Sequence, residues 1–365
     1  MRTTTILYNA FYETVKYIAM PKNSFYTKKL AKGCKVCEEG AKLVLLITGL
    51  CKANCFYCPL SEKKRDKDVI YADEMKVEKL EDVIEEAELI EAKGTGITGG
   101  DPLLVLDRTI DAIHLLKDYF GEEHHIHLYT ATLSYEKVKK IEKAGLDEIR
   151  FHPPVATWKK IEKTGFKKLI KKIEIDKGME IPLIPHLKKD TIHLLKEVDD
   201  YGLNFINLNE LEFSVTNMDA LDAFGYVAKN EESAAAKGSE EMAYELLDLN
   251  LTTPIHYCSA SFKDAIQLRR RIERRARNVA KLYEVITEDG TLLIGIIMAG
   301  KEKLKEIKEE FEIENGLIEW NEKKQRIETS PFILEEIADY LPYKCYIVEE
   351  YPTADRLEVE RTPLN

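Results

Sequence analysis

No apolar run in this chain is long enough to cross a membrane. The two longest, around Leu43 and Leu292, reach about half of the roughly 18–20 residues that a span requires. The opening Met1-Arg-Thr-Thr-Thr lacks a charged segment followed by an apolar core, so no signal peptide is expected and the chain is expected in the cytoplasm. An excess of positive charge is lacking as well. Lys and Arg number 54 against 65 Asp and Glu, and the net charge of −11 argues against nucleic-acid binding by the surface as a whole. There is no internal repeat. Gln occurs only twice in a chain whose charged residues make up 33%, a balance that leans toward a thermophile. Apolar residues, at 44%, are ample for a packed core, and 365 residues allow two domains or one large one with an appendage.

Cysteine is distributed unevenly: five of the seven lie between Cys34 and Cys58. In a cytosolic chain such clustering signals metal or redox chemistry, not a disulfide frame. The tightest group is Cys51-Lys-Ala-Asn-Cys55-Phe-Tyr-Cys58-Pro59, just after the apolar run 43–47 and a Thr48-Gly49 turn. Three thiolates spaced four and then three apart, with no fourth Cys beside them, suit a [4Fe–4S] cube that leaves one iron open for a substrate or cofactor. Zinc is the alternative, but zinc sites usually pair two closely spaced ligands with a distant second pair.

This Cys-x3-Cys-x-aromatic-Cys spacing after a first strand resembles the signature of the radical S-adenosylmethionine (SAM) superfamily. The wider pattern, including Gly40-Ala-Lys-Leu, is similar to a mostly archaeal family related to pyruvate formate-lyase activating enzymes. The resemblance implies that Cys51, Cys55 and Cys58 hold the cluster and that Tyr57 lies near the adenine. It also implies that the open iron binds the amino and carboxylate groups of SAM. Reductive cleavage, with a reductant such as ferredoxin or flavodoxin, would then give a 5′-deoxyadenosyl radical that abstracts hydrogen from a substrate.

From Leu43 to about Phe213 short apolar runs alternate with longer amphipathic ones, the βαβα pattern of a parallel sheet. Strands are expected at 43–48, 94–98, 125–131, 147–152, 180–184 and 204–211, and helices at 74–93, 105–119, 134–144, 155–174 and 189–201. Six strands with five crossovers predict a partial (β/α)6 TIM-like barrel over 43–253, with its site at the carboxyl ends of the strands. The resemblance implies the same α/β fold. Before it lies an N-terminal segment, 1–42, with Gly33-Cys34-Lys-Val-Cys37. After it come 254–281, with Cys258 and a basic helix, and a small α+β domain at 282–365. That domain is read as a hairpin around Asp289-Gly290, a charged helix at 301–311, strands near 317 and 326, a helix at 331–340 and a strand at 344–349. The polar stretch 229–241 reads as a surface excursion.

Candidate site residues gather at the strand ends. Thr98-Gly99-Gly100-Asp101-Pro102 follows the second strand, where glycines let backbone approach a ligand. By resemblance this turn meets the SAM amino group, although the usual acid there is Glu and Asp101 is shorter. An ordinary strand-to-helix turn is the plain alternative. Thr130 and Thr132 end the third strand and, by resemblance, face the ribose and carboxylate of SAM. His125 and His127 share one face of that strand, and a helix-covered or surface role is expected for them. Arg150 and His152 close the fourth strand and Asn207 the sixth. Arg150 could hold a carboxylate bidentately and Asn207 could bond adenine or ribose, while structural pairing fits both equally well. His186, at the fifth strand end, shares that ambiguity.

Cys34, Cys37 and Cys258 form a second thiol set, with His256 or Cys345 as a fourth ligand. A structural zinc and an auxiliary [4Fe–4S] cluster with an open iron both fit, and the absence of an evident fourth Cys favours the cluster. Cys345, inside a strand-like apolar run, reads as a core thiol. The segment Lys263–Arg277 carries seven positive and two negative residues, and its stripe at 265, 268, 272 and 276 is helical. RNA phosphate or a phosphorylated metabolite could be gripped there, but pairing with the protein's own carboxylates is favoured, and no aromatic RNA-recognition motif accompanies it. The expectation is an enzyme that modifies a small molecule, peptide or RNA. A glycyl-radical enzyme activase is the alternative, and a non-catalytic zinc-binding or RNA-binding scaffold the alternative of another class.

Overall fold

The computed structural model describes residues 16–231 and 233–365. The opening residues read for a signal peptide lie outside them. Short apolar runs pair in parallel, buried on both faces as such strands must be. The strands are β1 (Lys42–Leu46), β2 (Gly94–Thr98), β3 (His125–Thr130), β4 (Glu148–Phe151), β5 (Asp176–Leu183), β6 (Phe205–Glu210) and β7 (Ile255–Cys258). Each pairs with the next in sequence, giving an open parallel barrel at the heart of an eleven-stranded sheet. Its outer layer includes the helices α2 (Asp82–Leu89), α3 (Leu106–Phe120), α4 (Tyr135–Lys143), α5 (Phe166–Ile170) and α6 (Lys188–Val198). Ile97, Leu128, Ile149, Ile181 and Leu208 are among the fully buried side chains of the core.

The barrel differs from the expectation in three places. A seventh parallel strand, β7, joins β6 with Asn207 opposite His256 and Asn209 opposite Cys258. It follows a stretch in which the strand–helix alternation has ended, so no pattern announces it, and it draws Cys258 into the barrel. The helix expected over 74–93 begins only at Asp82. Met75–Val77 instead pairs antiparallel with Ile70–Ala72, turning at Asp73 with φ 52°, and this hairpin covers the edge of β1. The helix expected over 155–174 is two pieces, a 3-10 run at Val155–Lys163 and α5, separated by Gly165 at φ 81°. In the stretch 229–241, Ala228–Asn230 pairs with Ser233–Ala236.

The N-terminal helix α1 (Lys32–Glu38) packs against the inward-facing side chains of β3 and β4. Gly33 makes this approach feasible, since its amide donates to Glu148 Oε2 at 3.3 Å. A Cβ there would lie 2.6 Å from Arg150 Nη2 and 2.7 Å from His127 Nδ1.

After β7 the backbone runs through a π-helical turn, Lys263–Leu268, into α7 (Arg269–Val279). Most of its arginines are held against the fold, while Arg277 is exposed. Arg271 meets Asp73 and Glu74, Arg274 meets Glu91, and Arg270 donates to the Glu38 carbonyl. Arg275 makes a buried two-point contact with Glu86 on α2 and also donates to the Pro352 carbonyl of the C-terminal unit. The favoured reading of this helix, charge paired with the protein's own carboxylates, is what the geometry shows.

The C-terminal unit has its own antiparallel sheet and its own apolar clusters around Ile297, Ile327, Leu334 and Val348. The hairpin pairs Val285–Ile286 with Leu292–Ile297, and a final strand, Glu358–Pro363, adds an edge that the sequence reading did not include. Among the described residues no helix is long and apolar enough to cross a membrane.

Replacing Glu86 by Ala leaves the Arg275 guanidinium buried without its carboxylate. The expected cost is about 3–5 kcal/mol of unfolding free energy, read by urea denaturation. An unchanged midpoint would mean that Arg275 finds another partner.

Candidate functional site

The carboxyl ends of the strands enclose a cavity of about 520 Å³. Cys51, Cys55 and Cys58 line it with Tyr57, Gly99, Gly100, Thr130 and His152, so residues from β1 through β4 converge there. The thiol loop is tied down on both sides. Gly49 N donates to Lys67 O and Asp66 N to Gly49 O, each across the loop base. The Tyr57 hydroxyl bonds His152 Nε2 at 2.9 Å, and Asn217 Nδ2 donates to the Tyr57 carbonyl at 3.1 Å. Burial first, then the neighbouring thiols, raise the Tyr57 phenol and keep it protonated. His152 is lowered by burial while its Nδ1 sits 2.8 Å from the Glu180 carbonyl.

The glycine pair after β2 is fixed by backbone contact. Gly100 N donates to Thr48 O and Asp101 N to Leu50 O, both at 2.8 Å. Gly99 has φ 148°, and a Cβ on Gly99 or Gly100 would run into the carbonyl oxygens of Thr48 or Leu50. The turn thus interlocks with the root of the thiol loop while its face lines the cavity. Asp101 is buried and fully engaged, accepting from Leu103 N, Thr130 Oγ1 (2.7 Å) and Thr132 Oγ1 (2.6 Å). Asp101, Pro102 and Thr132 do not line the cavity, and Asp101 acts on it through Thr130. His186 stacks on Phe224 and bonds the Tyr226 hydroxyl beside the cavity.

A second, smaller cavity of about 180 Å³ adjoins the first and shares Lys42, Tyr129, Glu180, Asn209 and Lys263 with it. Cys34 and Cys37 reach it from α1, and Cys258 from the end of β7. The structure thus brings together three thiols that the sequence could not place within reach of one another. Arg150 and Asn207 belong to this cavity and not to the first, because both point at Cys34. Arg150 Nη2 lies 3.5 Å and Asn207 Nδ2 3.3 Å from its Sγ. Arg150 is further held by Glu148, Glu180 and Tyr129, which leaves it no freedom to clamp a SAM carboxylate. Burial pushes the Cys34 thiol up to about 11 and raises Cys258 further. Burial also holds the His256 ring down at about 4. Gln267, on the π-helical turn, accepts from Cys37 Sγ at 2.9 Å and reaches Cys258 Sγ at 3.7 Å. Cys345 sits in the C-terminal core, bonded to the Tyr343 carbonyl, away from both cavities.

Sequence reasoning did not select Lys42, Glu180 or Gln267. Glu180 carried a signal: a lone carboxylate among Met179, Ile181 and Leu183 of a buried parallel strand. His125 and His127 are buried beneath α1, as a helix-covered role requires, with Glu148 beside them. These three are the only group of described residues whose ligand atoms all lie within 4.8 Å of one another. Each thiol trio is therefore wider than 4.8 Å in at least one pair. A single zinc at about 2.3 Å from each sulfur spans no more than about twice that. Either trio would have to draw its sulfurs closer together to hold a single zinc ion.

A family model described as the radical SAM superfamily matches residues 45–200, and one described as a domain of unknown function, DUF8061, matches 290–364. The chain belongs to the radical SAM superfamily and is an enzyme of that class, with a [4Fe–4S] cluster and SAM as cofactors. It is 45% identical over 356 residues to a Methanocaldococcus jannaschii protein, covering 92% of this chain and 93% of that one. That protein bears the provisional name of glycyl-radical enzyme activating enzyme. Solved structures with similar folds include anSMEcpe with bound AdoMet, at 16% identity and TM-score 0.35, over 46% of this chain and 48% of that one. The chain thus spans about half the length of that structure. Methylornithine synthase (PylB) matches at 11% identity and TM-score 0.39, over 61% and 74% of the two chains. The hydrogenase maturase HydG of Carboxydothermus hydrogenoformans matches at 14% and 0.37, over 66% and 55%.

Gly100→Ala forces the glycine turn away from Leu50 and displaces the thiol loop. The expected result is a folded chain, with unchanged circular dichroism, that retains well under half of the wild-type iron after reconstitution. Full iron loading would show that the interlock does not position the loop.

Proposed function

We propose that Cys51, Cys55 and Cys58 hold the SAM-binding [4Fe–4S] cluster and that the chain uses it to start radical chemistry on a substrate in the adjoining space. The observation that carries this reading is the convergence of three thiols, the Gly99-Gly100 turn and Thr130 on one cavity. Its volume, about 520 Å³, falls in the usual range of about 300–1,000 Å³ for small-molecule sites. When bound and reduced, the cluster and SAM supply the 5′-deoxyadenosyl radical. The protein's own contribution is binding, orientation and exclusion of side reactions. Gly99 and Gly100 leave room for the amino-acid end of SAM, and Thr130, oriented by Asp101, offers its oxygen beside them. Tyr57, fixed by His152, provides a flat apolar wall for the adenine. The electron comes from an external reductant, of which ferredoxin or flavodoxin is the expected kind.

The second trio, Cys34, Cys37 and Cys258, is read as an auxiliary iron–sulfur site, supported by the gathering of three distant thiols on one cavity and by its shared wall with the main cavity. A substrate lying along that wall meets Lys42, Glu180, Asn209 and Lys263, with Lys263 paired to Glu212. These charged and amide groups suit a polar substrate. A second reading, activation of a glycyl-radical enzyme by abstraction from a glycine of a protein, is favoured by the name of the M. jannaschii relative.

Anaerobic reconstitution tests the assignment. About eight irons per chain are expected, falling to about four in the Cys34→Ser/Cys37→Ser/Cys258→Ser variant. Four irons with one zinc, the zinc absent from the variant, would make the second site structural. Dithionite with SAM should release 5′-deoxyadenosine from the wild type and none from Cys51→Ser/Cys55→Ser/Cys58→Ser. Release from that variant would overturn the assignment of the first trio.

A further inference from the structure

The second trio supplies three ligands to a cube that takes four. A fourth protein ligand would have to come from the cavity wall. Most of its polar atoms are already engaged. Glu180 accepts from Arg150, Asn207 and Asn209 through both oxygens. The Tyr129 hydroxyl accepts from Arg150 at 3.1 Å. Gln267 lies between Cys37 and Cys258 and bonds toward both sulfurs. His256 differs. It lines the cavity, is 4% exposed, and neither ring nitrogen has a hydrogen-bond partner among the described residues. Asn207 Oδ1 is the other unpartnered atom on this wall, but an amide oxygen is a hard donor and a poor match for cluster iron.

The placement of His256 follows from the strand. It stands two residues before Cys258 on β7, so the two side chains leave the same face, while Tyr257 between them packs into the core against Phe25. Its register partner on β6 is Asn207, the residue that contacts Cys34 Sγ. A buried imidazole with two unsatisfied nitrogens costs free energy unless something fills the gap.

We propose that His256 is the fourth ligand of the second cluster, giving a Cys34, Cys37, Cys258, His256 set. The inference rests on the reading of the second thiol trio as an iron–sulfur site. It assigns that cluster a role different from the open-iron expectation: with four protein ligands it has no iron left for substrate, and it serves to hold and pass electrons. Histidine in place of a thiolate raises the potential of a cluster. Hydrogen bonds to the sulfurs also tune it, and Arg150, Asn207 and Gln267 are placed to provide them.

The test uses the full chain with Cys51→Ser/Cys55→Ser/Cys58→Ser, so that only the second cluster remains. It is reconstituted, reduced and examined by pulsed electron paramagnetic resonance, with unlabelled and ¹⁵N-histidine protein. A nitrogen coupling that responds to the histidine label and vanishes in His256→Ala is the expected result. His256→Cys, which keeps four ligands should the alanine variant lose its cluster, is expected to retain about four irons, lack the coupling and show a lower midpoint potential. A reduced cluster with about four irons and no histidine coupling would overturn the ligand assignment while leaving the second cluster intact. No iron in the triple-serine chain would overturn the reading of the second site itself.

Discussion

The interior of the barrel depends on one guanidinium. Arg150, 3% exposed, projects from β4 and joins four elements at once: Glu148 on its own strand, Tyr129 on β3, Glu180 on β5 and Cys34 on α1. A buried cation left unpaired carries a penalty of several kcal/mol, and full satisfaction removes it only if the partners are held in place. The neighbouring strands hold them, and α1 closes the last side because Gly33 has no side chain to keep it away. The barrel is consequently polar at its centre where parallel barrels are usually filled by branched apolar residues. That polarity makes room for thiols beside charge.

The two cavities follow from this arrangement by different routes. The larger is set by backbone interlock, with the turn after β2 bonded to the root of the thiol loop after β1. The smaller is set by side chains, with Arg150, Asn207 and Gln267 each directed at a sulfur. A local chain segment supplies the thiols of the first, while distant segments supply those of the second. Lys42, Tyr129, Glu180, Asn209 and Lys263 form the partition between them.

The same division explains what was legible in the sequence. Cys51, Cys55 and Cys58 sit within one short loop, and the first six parallel strands fall in the regular strand–helix alternation that shows their pattern. The reach of Cys258 was invisible because β7 comes after the regular strand–helix alternation has ended and its pairing with β6 is non-local. Arg150 was placed near the correct strand end, whereas Asn207 lies inside β6 and does not close it, and which cavity the two served depended on α1, whose docking no local pattern encodes. The Met75–Val77 strand was hidden because Val77 also fits the helical spacing of Val83, Ile84 and Ala87. For Lys263–Arg277 the amphipathic stripe was right, while the π-helical turn that aims Gln267 had no sequence signal.

The position of the second thiol set also bears on assembly. Cys34 and Cys37 lie on the first helix of the barrel and Cys258 on its last parallel strand. The three meet through segments at opposite ends of the barrel, whereas the Cys51–Cys58 loop is contiguous and rooted on β1 and the turn after β2, with Tyr57 further tied to His152 and Asn217. An ion or cluster bridging the distant trio fastens the two ends of the open barrel, and closing so long a loop is where a cross-link gains most in chain entropy. A group held by that set would therefore fasten segments that only the closed barrel brings together.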